Sequence, residues 1–422
     1  MFPSGRVRFD GGLTGVGAVA AGGKRSERRW CSWGARKTVA LGAIAITGAL
    51  SLSAISSPAA NASACKLTYT PRLLAVGQNG TAYIDEFVQE IQGPNVPVGT
   101  TPCVLPSDII VKRTRTGAAS VIAGKIGNQG RPVPGRATAS PVYEPQAGAV
   151  DSHGNLYVSQ ISTSAVLKIT PSGHLSVVAG EIGKSGPPTP GTATHSRLNA
   201  AWSLAVDASN NLYIADAGND VVEEVTPEGQ LSILAGEVRK EGQPTAGPAS
   251  QSVLINPDEV AVDQAGDVFV GSNAGPPVGA YVSEISPQGQ LTAVAGNGSM
   301  GIPSQGVEAV DSPLGVIRGI AASPSGSLLL ATGRSAFDPA FALVEVNASG
   351  TVTLLPRSVY RLAKGAAAPA VCGRIDTGIW GVRFTAAGNA LFTTGGPSRA
   401  DACVVEVTPQ GKLSVLAHTY SK

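Results

Sequence analysis

The sequence contains little methionine, histidine, aromatic residue or charge, and these shortages exclude several classes of protein. Among its 422 residues are 2 Met and 4 His, and 5% of the chain is aromatic and 14% charged, whereas 43% is hydrophobic. A chain this apolar and this weakly charged is not a disordered protein. No two cysteines have the C-x-x-C spacing of a zinc site and the four histidines do not cluster, so we expect no structural zinc.

Glycine and proline, in contrast, are abundant. The chain has 53 Gly and 30 Pro, and these residues interrupt long helices and supply the backbone angles of tight turns. The composition therefore predicts an all-β protein with many short strands.

Positive charge is concentrated at the N-terminus. Residues 1–37 hold eight basic and two acidic side chains, whereas the whole chain has a net charge of +2. The remainder is therefore net acidic and has no basic block that would neutralise a phosphate backbone, so we expect no nucleic-acid partner.

Residues 1–64 are arranged like an export signal. A basic region to 37 precedes an apolar run over 39–55, and Ala62 and Ala64 each end an A-x-A cleavage site. The second cut would leave Cys65 at the new N-terminus, where it could be lipidated. A retained anchor is an alternative, although the run is shorter than the roughly 20 residues that span a bilayer. We expect a secreted or extracytoplasmic monomer, held at a membrane only by its signal segment or by a lipid on Cys65.

One sequence unit recurs six times, and its clearest copy runs from Leu204 to Gly236. Each unit has four runs of strand length with alternating polarity, joined by glycine-centred turns, and a closed ring of such units protects their edges. Residues 65–422 are therefore predicted to form a six-bladed β-propeller with four antiparallel strands per blade. The predicted blades cover 73–124, 147–180, 201–236, 258–296, 318–356 and 379–418.

These units resemble the NHL-repeat family. The segments AVDASNNLYIADAGND over 205–220 and ITPSGHLSVVAG over 169–180 have its hallmarks, and the connectors GTATHSRLN and GPASQSVLINP agree with them. The resemblance implies a propeller used mainly to bind proteins, peptides or other ligands, although a few relatives are lyases or lactonases.

The seam of the ring needs a device of its own, because the repeat begins and ends on whole units and no strand is expected to cross between blades one and six. The four cysteines that remain after export form an even number in an oxidising compartment, which favours disulfides. The symmetric pairing would join Cys65 to Cys103 and Cys372 to Cys403 within these two blades. Pairings 65–403 with 103–372 and 65–372 with 103–403 also stay open.

Aligned positions form two rings around the predicted axis. The first ring lies at the end of the second strands, where we expect the channel rim, and comprises Glu86, Gln160, Asp216, Ser272, Thr332 and Thr394. The second ring precedes the core of the first strands and comprises Arg72, Gln146, Trp202, Asp258, Arg318 and Trp380. Tryptophan offers contact area with a polar handle and arginine can fork onto a carboxylate, so the second ring is the candidate ligand-binding mouth.

The sequence contains no recognisable catalytic set. Asp151, Asp207 and Asp263 each open a turn, and their repetition predicts that they cap their own backbones. No cofactor is expected, and calcium at Asp216 and Asp220 is the weaker alternative. We expect an exported, non-catalytic binding or scaffolding propeller that recognises a protein, peptide or glycan. The alternative is a metal-dependent hydrolase or lactonase that uses the channel carboxylates and amide of the first ring, Glu86, Gln160 and Asp216.

Overall fold

The computed structural model describes residues 67–90, 105–324, 326–333, 342–355, 379–394, 402–409 and 412–421. All of them belong to one compact unit, residues 45–422. Alternating apolar residues and glycine turns produce six antiparallel sheets of four or five strands. The predicted six-bladed, all-β propeller is confirmed.

The four main strands of each blade follow one another from its inner to its outer edge, and in blades two to four a short strand that precedes them in the chain lies outermost. Blade one has β1 (Leu67–Val76), β2 (Ala82–Glu90), β3 (Ser107–Arg113) and β4 (Ala119–Ala123). Blade two has β5 (Gly135–Arg136), β6 (Pro145–Val150), β7 (Leu156–Gln160), β8 (Ala165–Ile169) and β9 (His174–Ala179). Blade three has β10 (Gly191–Thr192), β11 (Ala201–Val206), β12 (Leu212–Asp216), β13 (Val221–Val225) and β14 (Gln230–Ala235).

The remaining blades follow the same order. Blade four has β15 (Gly247–Pro248), β16 (Pro257–Val262), β17 (Val268–Asn273), β18 (Ala280–Ile285) and β19 (Gln290–Ala295). Blade five has β20 (Val316–Ala322), β21 (Leu328–Gly333), β22 (Ala342–Val346) and β23 (Val352–Leu354). Blade six has β24 (Ile379–Phe384), β25 (Ala390–Thr394), β26 (Cys403–Val407) and β27 (Leu413–His418), and β28 (Tyr420–Ser421) follows it.

The connectors into blades two, three and four cover the outer edges of those sheets. The short strands β5, β10 and β15 pair with β9, β14 and β19, which satisfies edge groups that would otherwise be open. The described 3₁₀ turns are Ala137–Ala139, Ile161–Thr163, Ala193–His195, Ala217–Asn219 and Ala249–Gln251. In the described part of the chain, no helix is long and apolar enough to cross a membrane.

Apolar clusters fill the interfaces between neighbouring blades and close the ring. Leu74 of blade one packs in one cluster with Leu156 of blade two, and equivalent clusters join two with three, three with four, four with five and five with six. Leu391 of blade six shares a cluster with Ile84 of blade one. The core is therefore a series of interblade layers, and each blade depends on both of its neighbours.

A strand does cross the seam, so the expectation that none would is wrong. After blade six the chain turns at Thr419, and β28 pairs with β1, with Tyr69 opposite Tyr420 and Thr68 opposite Ser421. The reason is that β1 begins at Leu67, before the repeat-like part of the unit, and so leaves a stretch of edge for the last residues to occupy. This pairing links the two ends of the described chain.

Candidate functional site

The innermost strands β1, β6, β11, β16, β20 and β24 line the axis of the propeller, and each of them is interrupted by a β-bulge or a shift of register. A bulge leaves one residue out of the ladder and re-aims its side chain. In blades three to five the interruptions fall at Trp202, Asp258 and Arg318, and in blade two the interruption spans Gln146 and Ala147. Gln146, Trp202, Asp258 and Arg318 are the second-ring residues predicted from the sequence.

The six residues of the second ring do not all lie at the same level along the innermost strands, however. In blade one the register shifts around Leu74, so Arg72 stays in the ladder opposite Asp85. In blade six it shifts around Gly381, so Trp380 pairs with Thr393. Arg72 and Trp380 therefore lie one level further along the strands than Trp202, in register with Ser203, Glu259 and Gly319. Repeat alignment missed this offset because the length of a strand before its bulge leaves no mark in the repeat pattern.

Among the second-ring residues whose side chains the structure describes, Trp202 is the exposed one. Its side chain is 42% exposed although it lies on an innermost strand, whereas its ladder neighbours Ala201 and Ser203 are buried. Beside it in blade four, Asp258 accepts hydrogen bonds from Asn273 Nδ2 at 2.9 and 2.7 Å. Burial raises the pKa of Asp258, and the charge of Glu259 raises it further, while Asn273 and Arg318 act in the opposite direction.

Arg72 is tied to its surroundings. Its Nη2 lies 3.2 Å from Asp85 Oδ2, and its Nη1 donates to Gln146 Oε1 at 3.1 Å. The guanidinium thereby joins blade one to blade two at the axis. A ligand that reached Arg72 would compete with bonds that are already made, so Arg72 is a weaker contact candidate than Trp202.

Two charged residues that the sequence analysis did not select, Glu259 and Arg383, lie on innermost strands. Burial raises the pKa of Glu259 to about 7, against the opposing effects of Arg383, of Ser203 and of Arg318. Burial lowers the pKa of the Arg383 guanidinium, and the charge of Glu259 raises it. Arg383 occupies a position where the other five innermost strands have alanine, and that break was visible in the aligned repeats.

The first ring does not form an open rim, and that expectation is wrong. All six of its side chains are buried. Gln160 Nε2 donates to the Tyr143 carbonyl at 3.0 Å, and Asp216 Oδ1 accepts from Asn199 N–H at 2.8 Å. Since Tyr143 and Asn199 lie in the connectors, these polar groups hold connectors against the ends of the second strands.

Asp216 is also half of a buried acid pair. Its neighbour in the pair is Glu223, and both residues are 0% exposed. Burial raises the pKa of Asp216 to about 6, and burial together with the Asp216 charge raises the pKa of Glu223. A single proton held by the pair avoids two buried like charges. The corresponding ladder positions in blades one, five and six hold Val111, Val344 and Val405.

The turn aspartates have the structural role that their repetition predicts. Asp151 Oδ1 accepts from the N–H groups of His153 and Asn155, and its Oδ2 accepts from Asn155 Nδ2 and Tyr157 Oη. Asp207 repeats the contacts to its asparagine and tyrosine, and Asp263 accepts from two backbone N–H groups. Within the described ranges, no three His, Cys, Asp or Glu side chains are grouped to hold a metal ion.

The cysteines are described in part. Cys403 begins β26, is fully buried and takes part in a disulfide. Cys65, Cys103 and Cys372 lie outside the described residues, so the pairing pattern stays a prediction.

Comparison with known proteins agrees with the repeats. Residues 135–332 match the family model described as the Teneurin NHL domain. Teneurin-3 of Mus musculus is 25% identical in an alignment of 223 residues, and the match covers 47% of this chain and 8% of Teneurin-3. The chain thus corresponds to a small part of that relative.

Solved structures with a similar chain path include two bacterial enzymes. Virginiamycin B lyase from Staphylococcus aureus is 11% identical, with a TM-score of 0.41, and the match covers 79% of this chain and 93% of the lyase. A gluconolactonase from Xanthomonas campestris is 15% identical, with a TM-score of 0.41, and the match covers 64% of this chain and 73% of that enzyme. Likenesses at this level say nothing about the activity of the present chain. The repeated units, the six blades and the matched family model together support an NHL-repeat β-propeller.

Proposed function

We propose that the protein is an exported, non-catalytic binding module that recognises a protein, peptide or glycan at the channel mouth, defined by Gln146, Trp202, Asp258 and Arg318. The observation that carries this proposal is the interruption of four successive innermost strands at these residues. Bulges are favoured where a side chain must be re-aimed, and here they present one amide, one indole, one carboxylate and one guanidinium on adjacent blades.

The chemistry of the mouth suits a ligand with both flat apolar and polar groups. The indole of Trp202 is 42% exposed and offers a face for an aromatic side chain or a sugar ring. The neighbouring carboxylate and guanidinium of Asp258 and Arg318 can bond amides, hydroxyls or charged groups. Trp and Arg are also the residues that most often dominate binding energy at interfaces.

A direct test uses the full processed chain on peptide and glycan arrays, followed by titration of the strongest binder. Trp202→Ala should weaken that binding at least about tenfold, because a central aromatic contact is removed. Val133→Ala is the matched control, since Val133 is 60% exposed but lies in a connector. A ligand that binds both variants as well as the native protein would contradict the proposal.

Export is part of the same proposal. A protein that leaves the cytoplasm should lose its leader near Ala62 or Ala64 and hold its remaining cysteines as disulfides. Intact mass and N-terminal sequencing of the protein from its host, with and without reduction, measure both. A terminus at Ser63 or Cys65 with a gain of four hydrogens on reduction is expected, whereas an uncleaved chain with free thiols would contradict export.

A further inference from the structure

A cavity of about 400 Å³ lies between blades two and three, at the end of these blades where the strand turns lie. Blade two contributes the turn after β6 and residues of β7, β8 and β9, and blade three contributes its two turns with residues of β10, β12 and β13. Trp202 lies near the start of β11, whereas the turn that reaches the cavity follows the end of that strand. The cavity is therefore separate from the channel mouth.

Part of the cavity lining is apolar. Tyr157, Leu212 and Val225 belong to the buried cluster between blades two and three, and Val178 packs against that cluster. All four side chains line the cavity, together with Val177. The apolar layer between the two blades thus opens here, and it offers aliphatic surface to a ligand.

Lys168 supplies a positive charge to the same cavity. Its Nζ lies 5.4 Å from the centre of the Tyr157 ring, and in the described part of the chain no carboxylate oxygen lies within 4.0 Å of it. Asp151 also lines the cavity, but its two oxygens already accept four hydrogen bonds, which use the lone pairs of a carboxylate. The ammonium group of Lys168 is therefore able to bind an anion.

Asn210 supplies a second donor, and its side chain is held in place from blade two. Its Oδ1 accepts from the Ser152 N–H at 3.0 Å and from Ser152 Oγ at 2.8 Å, which occupies both lone pairs of that oxygen. Its Nδ2 group donates to no acceptor among the described residues. Because Asn210 lines the cavity, the two N–H donors of this amide are what its side chain offers to a ligand.

Both donors depart from the repeat. Asn210 has φ of +66°, and the other five blades have glycine with positive φ at this turn position: Gly80, Gly154, Gly266, Gly326 and Gly388. In the register of Lys168, blade one has Lys112 and the remaining blades have glutamate: Glu224, Glu284, Glu345 and Glu406. A lysine from one blade and an asparagine from the next therefore meet only between blades two and three.

The remaining polar groups of the lining leave this donor set unopposed. Thr192 and Thr194 add hydroxyl groups from the connector, and His153 adds an imidazole from the turn of blade two. Glu228 is the other carboxylate of the lining, and it is exposed on the turn after β13, where water screens its charge. Free donors beside aliphatic surface are suited to a ligand with an anionic acceptor and an apolar body.

We propose that this cavity binds an aliphatic carboxylate, whose carboxylate group accepts hydrogen bonds from Lys168 Nζ and Asn210 Nδ2. The aliphatic body of the ligand lies against Val178, Leu212 and Val225. Such a ligand is either the C-terminal residue of a peptide or a free branched carboxylic acid. This site is a second one, and it does not depend on the function proposed for the channel mouth.

The test is an NMR titration of the full ¹⁵N-labelled chain with N-acetyl-leucine and with isovalerate. The side-chain amide signals that disappear in Asn210→Gly should shift saturably with both probes. N-acetyl-leucinamide lacks the charge and N-acetylglycine lacks the aliphatic body, so each should bind at least about tenfold more weakly than N-acetyl-leucine. The proposal is overturned if the Asn210 signals do not move, or if the uncharged amide binds as tightly as the acid.

Lys168→Glu tests the cation and introduces the residue that blades three to six have in this register, so the fold should tolerate it. The affinity for N-acetyl-leucine should fall at least about tenfold, because a hydrogen bond to a charged group is replaced by repulsion. Lys112→Glu is the matched control, since Lys112 lies over the Tyr83 ring of blade one at 6.0 Å and is outside the cavity lining. Equal losses in the two variants would contradict the site, because net charge alone would then explain them.

Asn210→Asp tests the amide. The aspartate keeps an acceptor for both hydrogen bonds from Ser152 and tolerates a left-handed backbone, but it replaces the two N–H donors with a negative charge. Calorimetric titration should therefore show a loss of at least about tenfold for Asn210→Asp, and of about threefold for Asn210→Gly, which removes the donors without adding charge. Native affinity in Asn210→Asp would mean that Asn210 only ties the two blades together, and would overturn its role in binding.

The two probes also distinguish the source of the carboxylate. Tighter binding of N-acetyl-leucine identifies a peptide C-terminus, whereas tighter binding of isovalerate identifies a free acid, and both orders support the site. Array ligands whose binding is lost in Trp202→Ala should still bind Lys168→Glu. Loss of those ligands in Lys168→Glu would contradict the separation of the cavity from the channel mouth.

Discussion

The outer part of the propeller, which comprises the second to fourth strands of the blades with their turns and connectors and is called the wall, differs from the innermost strands that line the channel. The difference lies in how uniform the aligned residues are. In the wall, the same residue does the same task from blade to blade: Asp151 and Asp207 both accept from an asparagine and a tyrosine of their own turns. The connectors repeat as well, since Ser140, Ser196 and Ser252 each accept a backbone N–H seven residues earlier at 2.8, 2.8 and 3.0 Å. At the bulges of the innermost strands, in contrast, aligned positions hold different residues: Gln146, Trp202, Asp258 and Arg318.

This difference separates residues that build the fold from residues that distinguish this chain. A side chain needed in every blade is explained by the geometry of a blade. A side chain that departs from its aligned neighbours, such as Asn210 among the turn glycines, has no such explanation and marks a candidate site. The four changes below test that separation, from the largest expected effect to the smallest.

The wall should be most sensitive where repeated backbone segments touch. Gly180 and Gly173 both lie in blade two, with φ of +83° and +82°, but a Cβ at Gly180 would lie 2.3 Å from the Ser164 carbonyl, whereas one at Gly173 would meet nothing within 4 Å. Gly173→Ala should cost about 1–2 kcal/mol of unfolding free energy for its left-handed backbone. Gly180→Ala adds a clash, for roughly 2–5 kcal/mol in total.

Urea unfolding of both variants measures this difference directly, since the two glycines share their backbone angle and differ in what surrounds them. Equal losses in the two variants would mean that the connector and the third strand do not meet as closely as the structure has them.

The turn aspartates give the next largest effect. Asp151→Ala leaves two backbone N–H groups, an amide and a phenol without their acceptor, and should cost about 2–4 kcal/mol of unfolding free energy. Asp263 accepts from two backbone N–H groups, so Asp263→Ala should cost about half as much. Thermal unfolding of both variants measures which of them loses more stability. A larger loss in Asp263→Ala would contradict the view that the hydrogen bonds accepted by these carboxylates set the effect.

The same contrast explains how far the sequence could be interpreted. The period of the repeat, the glycine turns and the turn aspartates are local features, so the fold class and the capping role of Asp151 could be predicted from spacing alone. The crossing strand β28 could not, because two residues that pair by backbone hydrogen bonds carry no pattern.

The candidate site was harder to predict from the sequence, for a related reason. Bulge positions depend on strand register, so Trp202 and Asp258 were placed correctly in one ring, but Arg72 and Trp380 lie one level away from them. The first ring is polar because its side chains bond the connectors, and aligned repeats do not show such contacts. Gln160 donates a hydrogen bond to, and Asp216 accepts one from, connector backbone that lies close in space but at a different position of the repeat.

Glu223 lies in the wall, at a position where blades one, five and six have valine. We expect this glutamate to lower the free energy of unfolding. Its folded-state pKa lies above the ordinary value, so the native state holds a proton more tightly than the unfolded chain, and stability falls as pH rises from about 4.5 through the folded pKa. Glu223→Val copies the residue found in register in blades one, five and six. It should leave stability similar near pH 4.5 and raise it by about 1–3 kcal/mol at pH 8.

Urea unfolding across this pH range measures the effect, with Glu241→Val in an exposed connector position as the control. A Glu223→Val protein that is less stable than native at pH 8 would show that the acid pair binds something, such as a cation, that valine cannot replace. Added calcium that stabilises the native protein and not the variant would indicate the same.

Of these substitutions, Trp202→Ala should change stability least and ligand binding most. It therefore tests most directly whether channel residues differ in role from wall residues. Because its side chain is 42% exposed, removing the indole forfeits little buried area, and Trp202→Ala should change the free energy of unfolding by less than about 1 kcal/mol. A fully buried wall residue such as Leu212, replaced by alanine, should lose about 2–5 kcal/mol. Urea unfolding curves of the two variants measure this difference. If Trp202→Ala is destabilised as strongly as Leu212→Ala, the indole packs as part of the wall, and its surface is not available to a ligand.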